Sequence, residues 1–266
     1  MITVSALIEE TSACGLLHEH GLSLYIETKN HNILFDAGQT GAFADNAEAM
    51  GIDLKKVDVA VVSHAHYDHT GGLERFFKEN KHARVYANER VFLKYYSADG
   101  RYIGADESLK DNGRFIFTGN ETVIDDELYL FTGNMFKRMY DVKKENMSVA
   151  DENGFAPDDF LHEQYLLISD AKKTLLVSGC SHKGIMNIVS WCSPVPDYVI
   201  SGFHFMNVGT EGEDGEYIKN AADVLLDTGA KYFTCHCTGA EQYALLKKSM
   251  GGKLKYLRGG DRIIFA

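Results

Sequence analysis

The sequence has 266 residues, 45% of them hydrophobic, with only three prolines. That suffices for one domain, residues 1–266, with a substantial core, and it argues against a disordered or fibrous chain. The formal net charge is −11 and no basic run occurs, so the surface repels a phosphate backbone and nucleic-acid binding is not expected as the main function.

Residues 1–10 lack a basic start, a long apolar core and a small-residue cleavage site, so they read as a first strand and not as a signal peptide. Nowhere does the chain approach the ~18 consecutive apolar residues that span a bilayer. Residues 21–28 and 33–38 place alternating apolar side chains on either side of a polar turn at 29–32, which predicts a β-hairpin. A short helix over 43–50 is stopped by Gly51. The apolar run 57–62 predicts a buried strand that feeds Ser63-His64-Ala65-His66-Tyr67-Asp68-His69-Thr70-Gly71-Gly72. Thr70 is placed to cap a helix reaching Asn80, and the two glycines let the backbone pass close to whatever the histidines hold.

A strand over 83–87 and a helical turn over 90–96 follow, then a polar, glycine-containing insertion over 97–113. Strands at 115–117 and 128–131 precede a second insertion, 133–159, which lacks periodicity and carries apolar anchors such as Met135, Phe136, Met139 and Phe155. Loops of that length usually cover a site, so a lid is the reading, with a homodimer contact as the alternative use. A second hairpin, 165–168 and 174–178 around a turn at 169–173, ends in Gly179-Cys180-Ser181-His182. Helices at 184–191, 216–227 and 241–250 alternate with strands at 198–200 and 231–234, and two short strands, 254–256 and 263–265, close the chain. Both halves show hairpins followed by strand–loop–helix units with histidines at strand ends. The pattern predicts an α/β (α+β) chain with two mixed β-sheets face to face and helices outside, a four-layer αββα sandwich.

Three imidazoles and a carboxylate within six residues, directly after a buried strand, form a metal-ligand cluster. In an extended segment His64 and His66 project to one side and can share an ion, and the turn that follows lets Asp68 and His69 face a second. The five cysteines, Cys14, Cys180, Cys192, Cys235 and Cys237, are odd in number and irregular in spacing, which suits reduced thiols in the cytoplasm. Cys235 and Cys237 should point away from His236 if that segment is extended. No second Cys pair at zinc-finger spacing exists, and neither a phosphate-binding glycine loop nor a dinucleotide fingerprint is present.

The run His64-x-His66-x-Asp68-His69 resembles the signature of the metallo-β-lactamase-fold hydrolases, and Asp36 in Ile33-Leu34-Phe35-Asp36-Ala37-Gly38 resembles that superfamily's first motif, a carboxylate that braces the metal loop. The stretches Glu19-His20-Gly21-Leu22-Ser23, Gly179-Cys180-Ser181-His182, Gly202-Phe203-His204 and His236-Cys237-Thr238-Gly239 resemble a branch named after an archaeal dihydropteroate-synthase-like enzyme of pterin biosynthesis. The resemblance implies the metallo-β-lactamase fold and two divalent ions. His64 and His66 would serve the first, Asp68 and His69 the second, with His236 as its late histidine. For the middle ligand it implies His182, with His162 and Cys180 as further candidates; Cys180 stands where the superfamily commonly has a bridging aspartate. A thiolate would favour zinc, the expected metal, whereas imidazoles and carboxylates alone admit zinc, iron or manganese. His20 is a candidate for the same face.

Two such ions lower the pKa of a shared water to about 7. The expectation is therefore a hydrolase in which metal-bound hydroxide attacks a small ester, thioester, lactone or phosphoester, with Asp68 and His204 as catalytic residues and His204 serving the leaving group. The branch implies an alternative, a transferase condensing a dihydropterin diphosphate with an aminobenzene ribotide. A third reading is a metal-containing ligand-binding or regulatory protein. The expected partner is a small molecule, phosphorylated or pterin-like, with neither nucleic acid nor membrane involved.

Overall fold

The computed structural model describes residues 1–13, 15–143, 146–151, 154–170 and 173–265. The first half runs β1 (Ile2–Ile8), β2 (Ser23–Glu27), β3 (Asn32–Phe35), α1 (Ala42–Ala49), β4 (Val59–Val61), α2 (Tyr67–Thr70), α3 (Leu73–Glu79), β5 (Arg84–Asn88), β6 (Lys94–Tyr96) and β7 (Phe115–Thr118). The second half runs β8 (Glu121–Val123), β9 (Leu128–Phe131), β10 (Ser148–Asp151), β11 (Gly154–Pro157), β12 (Tyr165–Asp170), β13 (Lys173–Val177), α4 (Ile185–Ser190), β14 (Tyr198–Ser201), α5 (Gly212–Asp227), β15 (Lys231–Thr234), α6 (Ala240–Met250), β16 (Leu254–Tyr256) and β17 (Arg262–Phe265).

Two seven-stranded sheets result, ordered β17-β1-β2-β3-β4-β5-β7 and β16-β15-β14-β13-β12-β9-β8. Alternate side chains explain why they stack. Ile33 and Phe35 on β3, Val59 and Val61 on β4, Leu166 and Ile168 on β12, and Leu175 and Val177 on β13 share one buried core between the sheets. The intervening Leu34, Ala60 and Val62 face outward onto Phe43, Leu73 and Phe76 of the α1 and α3 layer. Leu176 and Val199 likewise face Ile188, Ala221 and Leu246 of α4, α5 and α6. Strands buried on both faces read as continuous apolar runs, which is why residues 59–62 and 175–177 do. The architecture is the predicted αββα sandwich.

Three local expectations are corrected. Thr70 does not cap the next helix: it ends α2, and its hydroxyl donates back to the His66 carbonyl (3.1 Å). The residue before α3 is Gly72, with no side-chain cap. Residues 90–96 are a turn followed by β6, not a helical turn. Insertion 133–159 is not aperiodic throughout, since β10 and β11 pair within it and β10 pairs with β6, making one three-stranded sheet. Part of the turn at 169–173, namely residues 171–172, lies outside the described residues, as does Cys14.

His31, in the turn joining β2 and β3, clamps the two halves at the edge opposite the histidine cluster. Its Nδ1 meets Asp58 (2.5 Å) and its Nε2 meets Asp125 (2.6 Å) on the loop before β9. Burial opposes charge on this imidazole, but hydrogen bonds to the two carboxylates outweigh it and raise its pKa. A raised pKa gives stability that is full below the unfolded value near 6.5 and is lost as pH climbs through the folded value. His31→Gln should therefore cost about 0.5–1 kcal/mol at pH 5.5 and markedly less at pH 9, measured by urea unfolding at both pH values.

Candidate metal centre

The loops that carry the functional side chains leave the carboxyl ends of β3, β4, β13, β14 and β15. Register makes β3 and β4 parallel, and β13, β14 and β15 parallel, so all five loops emerge at one edge of the sandwich. The backbone there is strained: Asp36 (φ 57°), Ser181 (63°), His204 (56°) and His236 (50°) occupy the left-handed region. Non-glycine residues hold it only where surroundings fix them, and such residues concentrate at functional sites. Gly72 is required for a different reason. A Cβ there would lie 2.1 Å from the Ala37 carbonyl oxygen, so only glycine lets the histidine loop pass the end of β3.

Asp36 is the hub that orients this loop. Its Oδ1 accepts the Ser63 amide (2.7 Å), and its Oδ2 accepts both the Ser63 hydroxyl (2.7 Å) and His69 Nδ1 (2.7 Å). Because the Ser63 hydroxyl proton is spent on Asp36, the His64 Nδ1 at 2.8 Å must donate to Ser63 Oγ. Both rings are thereby held with Nδ1 protonated and an Nε2 lone pair aimed inward.

Those lone pairs converge. His69 Nε2 lies 3.2 Å from His236 Nε2 and 3.2 Å from Cys180 Sγ, and Asp68 Oδ2 is 3.3 Å from both imidazole nitrogens. His236 Nδ1 faces Glu10 Oε1 at 3.1 Å, which commits its proton to that side. Two nitrogen lone pairs facing each other at 3.2 Å are repulsive alone, yet this is about the spacing that ~2.0–2.1 Å bonds to one tetrahedral ion impose on its donors. Asp68, His69, Cys180 and His236 form one buried donor group, and His64, His66 and His182 form a second beside it. Among the described residues, the buried Nε2 atoms of His64 and His66 make no hydrogen bond. Residues of this type at this spacing fit divalent cations.

For His64, His66 and Asp68 the electrostatics agrees. Burial, then the neighbouring imidazoles, pushes the pKa values of His64 and His66 well below the usual histidine range, so both rings are neutral ligands at pH 7. Burial opposes charge on Asp68, but His69 and His236 outweigh it and hold the carboxyl well below its usual range. Glu10 is held down to about 2, its burial overcome by hydrogen bonds from His20 and His236.

The remaining predicted residues take distinct places. His20 lies at the rim, Nδ1 on Glu10 (2.6 Å) and Nε2 3.6 Å from Asp68. His162 has both nitrogens committed: Nδ1 accepts the Ala65 amide (3.0 Å) and Nε2 faces Asp158 (3.2 Å). That makes it a support for the histidine loop, not an open donor. The His204 ring lies tilted against His182 at 4.2 Å between centroids and groups with Cys180 and Cys237. The expectation that Cys237 points away is corrected. Residues 236–238 form a tight helical turn, which swings its Sγ back to 3.4 Å from the Cys180 carbonyl. Cys235 does turn away, into the core between the sheets.

Sequence reasoning missed Glu9, which accepts the strained His236 amide (2.6 Å) and the Tyr256 hydroxyl (2.6 Å). It also missed Glu10, Ser63, Asp158, and Glu163, which accepts the amides of His182 (2.7 Å) and Lys183 (3.1 Å). An acidic pair ending a mostly apolar strand was the available sign for Glu9 and Glu10. A cavity of about 220 Å³ opens over the donors and is lined by His20, Asp68, Cys180, His182, His204 and His236. It adjoins one of about 460 Å³, bounded by Arg138, Tyr140 and Phe160, at His182 and Met147.

The family model of the metallo-β-lactamase superfamily matches residues 18–142, the span holding Asp36 and the histidine loop. A solved metal-dependent hydrolase of the β-lactamase superfamily superposes over the whole of both chains, with a TM-score of 0.85 and 26% identity. The chain has the metallo-β-lactamase fold. Two Methanocaldococcus jannaschii relatives are each 28% identical: an uncharacterized protein, over 95% of this chain and 96% of its own, and 7,8-dihydropterin-6-methyl-4-(β-D-ribofuranosyl)-aminobenzene-5′-phosphate synthase, over 93% and 90%. Members of this superfamily are usually enzymes, and the donor groups suit divalent metal binding. No helix among the described residues is long and apolar enough to cross a membrane.

Proposed function

We propose that the protein is a dinuclear metal-dependent hydrolase of a small ester, thioester, lactone or phosphoester. The observation that carries this is the pair of adjoining donor groups, His64/His66/His182 and Asp68/His69/Cys180/His236, at the floor of one cavity. Divalent ions bound there supply Lewis acidity and an activated water. The protein's own part is to fix donor geometry through Asp36, Ser63 and Glu9, to keep His64 and His66 neutral by burial, and to present His204 and His20 at the cavity wall, where either imidazole can exchange a proton with a leaving group. A sulfur donor in the second group favours zinc.

The near full-length similarity to the pterin-pathway synthase supports a second reading, a transferase in which the same donors hold the ions that neutralise a leaving diphosphate. The test removes metal with a chelator and restores zinc, manganese or iron, then follows two assays. One is hydrolysis of 4-nitrophenyl esters and bis(4-nitrophenyl) phosphate. The other is diphosphate release from a dihydropterin diphosphate with and without the arylamine. Metal-dependent hydrolysis supports the first reading, arylamine-dependent diphosphate release supports the second, and unchanged activity without metal overturns both.

A further inference from the structure

The insertion at residues 97–113 delivers one cation to the cavity above the donor groups. Arg101 lines that cavity with Ser97 and Asn207, in a chain whose net charge is −11. Its backbone is tightly fixed. The Ser97 amide donates to the Arg101 carbonyl (2.9 Å), and the Ser97 hydroxyl and the Arg101 amide (3.3 Å) both donate to Asp99. The loop is then fastened to the histidine loop itself, because the Tyr67 amide, between His66 and Asp68, donates to the Ile103 carbonyl (2.9 Å). The guanidinium lies 5.7 Å from the centroid of the Tyr67 ring, a cation–π distance that orients it without using a single N–H.

What the guanidinium lacks among the described residues is an anion in direct contact. Among the described residues it makes no hydrogen bond and no ion pair. The nearest acid in sequence, Asp99, accepts the Ser97 hydroxyl and the Arg101 amide on one oxygen and meets the arginine's charge only through space. Asn207, on the same cavity, likewise has no side-chain hydrogen bond among the described residues. A surface arginine without a partner is ordinary; one clamped by its backbone to a metal-ligand loop, stacked on a ring between two candidate ligands, and facing the same cavity is placed for a guest. Guanidinium forks match carboxylate and phosphate oxygens in pairs.

We propose that Arg101 anchors an anionic group of the substrate, a carboxylate or a phosphate separate from the reacting bond, so that the enzyme prefers substrates carrying such a group. The proposal rests on the reading that the cavity over the donor groups is where substrate binds. Charge-assisted hydrogen bonds of this kind are worth about tenfold to a hundredfold in affinity.

The experiment uses the zinc-loaded full chain and its Arg101→Gln and Arg101→Lys variants. Each is assayed on mono(4-nitrophenyl) glutarate against 4-nitrophenyl butyrate, and on 4-nitrophenyl 4-phosphonobutyrate against the same neutral ester. The wild type should show a higher kcat/KM for an anionic ester, R101Q should lower that anionic-to-neutral ratio about tenfold or more, and R101K should restore part of it. The arm with the larger drop identifies carboxylate or phosphate as the group held. A ratio that R101Q leaves unchanged overturns the proposal. If no ester is turned over, the hydrolase reading fails on its own, and calorimetric titration of glutarate and of methylphosphonate then decides. Binding weakened about tenfold by R101Q supports the anchor, and absent or unaltered binding overturns it.

Discussion

Replacing Asp68 by alanine should release one of two bound ions and lower turnover at least about 10³-fold, while leaving the other ion in place. Asp68 Oδ2 is the point on which the second donor group closes, 3.3 Å from His69 Nε2 and from His236 Nε2. It is the group's carboxylate, held ionised by those two histidines against the cost of burial. Without it, three neutral or soft donors remain, and His69 and His236 face each other with no anion to balance a dication. The first group, His64, His66 and His182, shares no residue with the second, which is why the expected loss is one ion and not two. A metal ion stabilises the transition state by several kcal/mol, and each 1.36 kcal/mol is a factor of ten in rate. Elemental analysis of dialysed protein, beside kcat on whichever substrate the activity screen yields, makes the check. Full turnover with the usual metal content would remove Asp68 from the machinery.

The outline of this centre could be read from the sequence because its strongest elements are local. His64, His66, Asp68 and His69 fall within one loop after a buried strand, and short apolar runs announce the strands on both sides. The two-sheet sandwich followed from the order of those strands, hairpins and helices. What sequence could not show is set by contacts between distant segments. Glu9 and Glu10 reach His236 across more than 220 residues, and nothing at positions 9 and 10 alone tells a ligand-orienting carboxylate from a solvated one. Cys237 was misjudged because an extended segment was assumed, whereas the left-handed His236 starts a tight turn that reverses the next side chain. The β10–β11 hairpin was missed because its side chains are largely exposed, as with Phe155, so no alternation of burial marks it. Thr70 looked like a cap because capping residues are recognised by type. Its hydroxyl found a closer acceptor one helical turn back.

Replacing Asp36 by asparagine should keep the fold yet weaken both donor groups, and the reason lies in proton placement. The carboxylate accepts three hydrogen bonds, from the Ser63 amide, the Ser63 hydroxyl and His69 Nδ1. An amide of the same shape can still accept the Ser63 amide through its oxygen, but its NH₂ now faces the other two donors. His69 can meet that NH₂ only by becoming an acceptor at Nδ1, which moves its proton to Nε2, the atom facing His236 and Cys180. Ser63 can meet it only by accepting, and its freed hydroxyl proton then points at His64 Nδ1, moving that ring's proton inward as well. One substitution thus turns two lone pairs into N–H groups, one in each donor set. Loss of such an orienting partner costs about 10–100-fold in metal affinity, and with both rings affected the upper end is expected at each site. Asp36→Ala behaves differently, because it leaves the Ser63 amide and His69 Nδ1–H buried without acceptors at about 1–3 kcal/mol each. It should therefore lower the unfolding free energy measured in urea, where D36N shows a much smaller change. Two-bond ¹⁵N–¹H spectra of labelled histidines read the tautomers directly. Unshifted His64 and His69 tautomers in D36N, with metal affinity like that of the wild type, would show that Asp36 holds the loop by packing and not by assigning its protons.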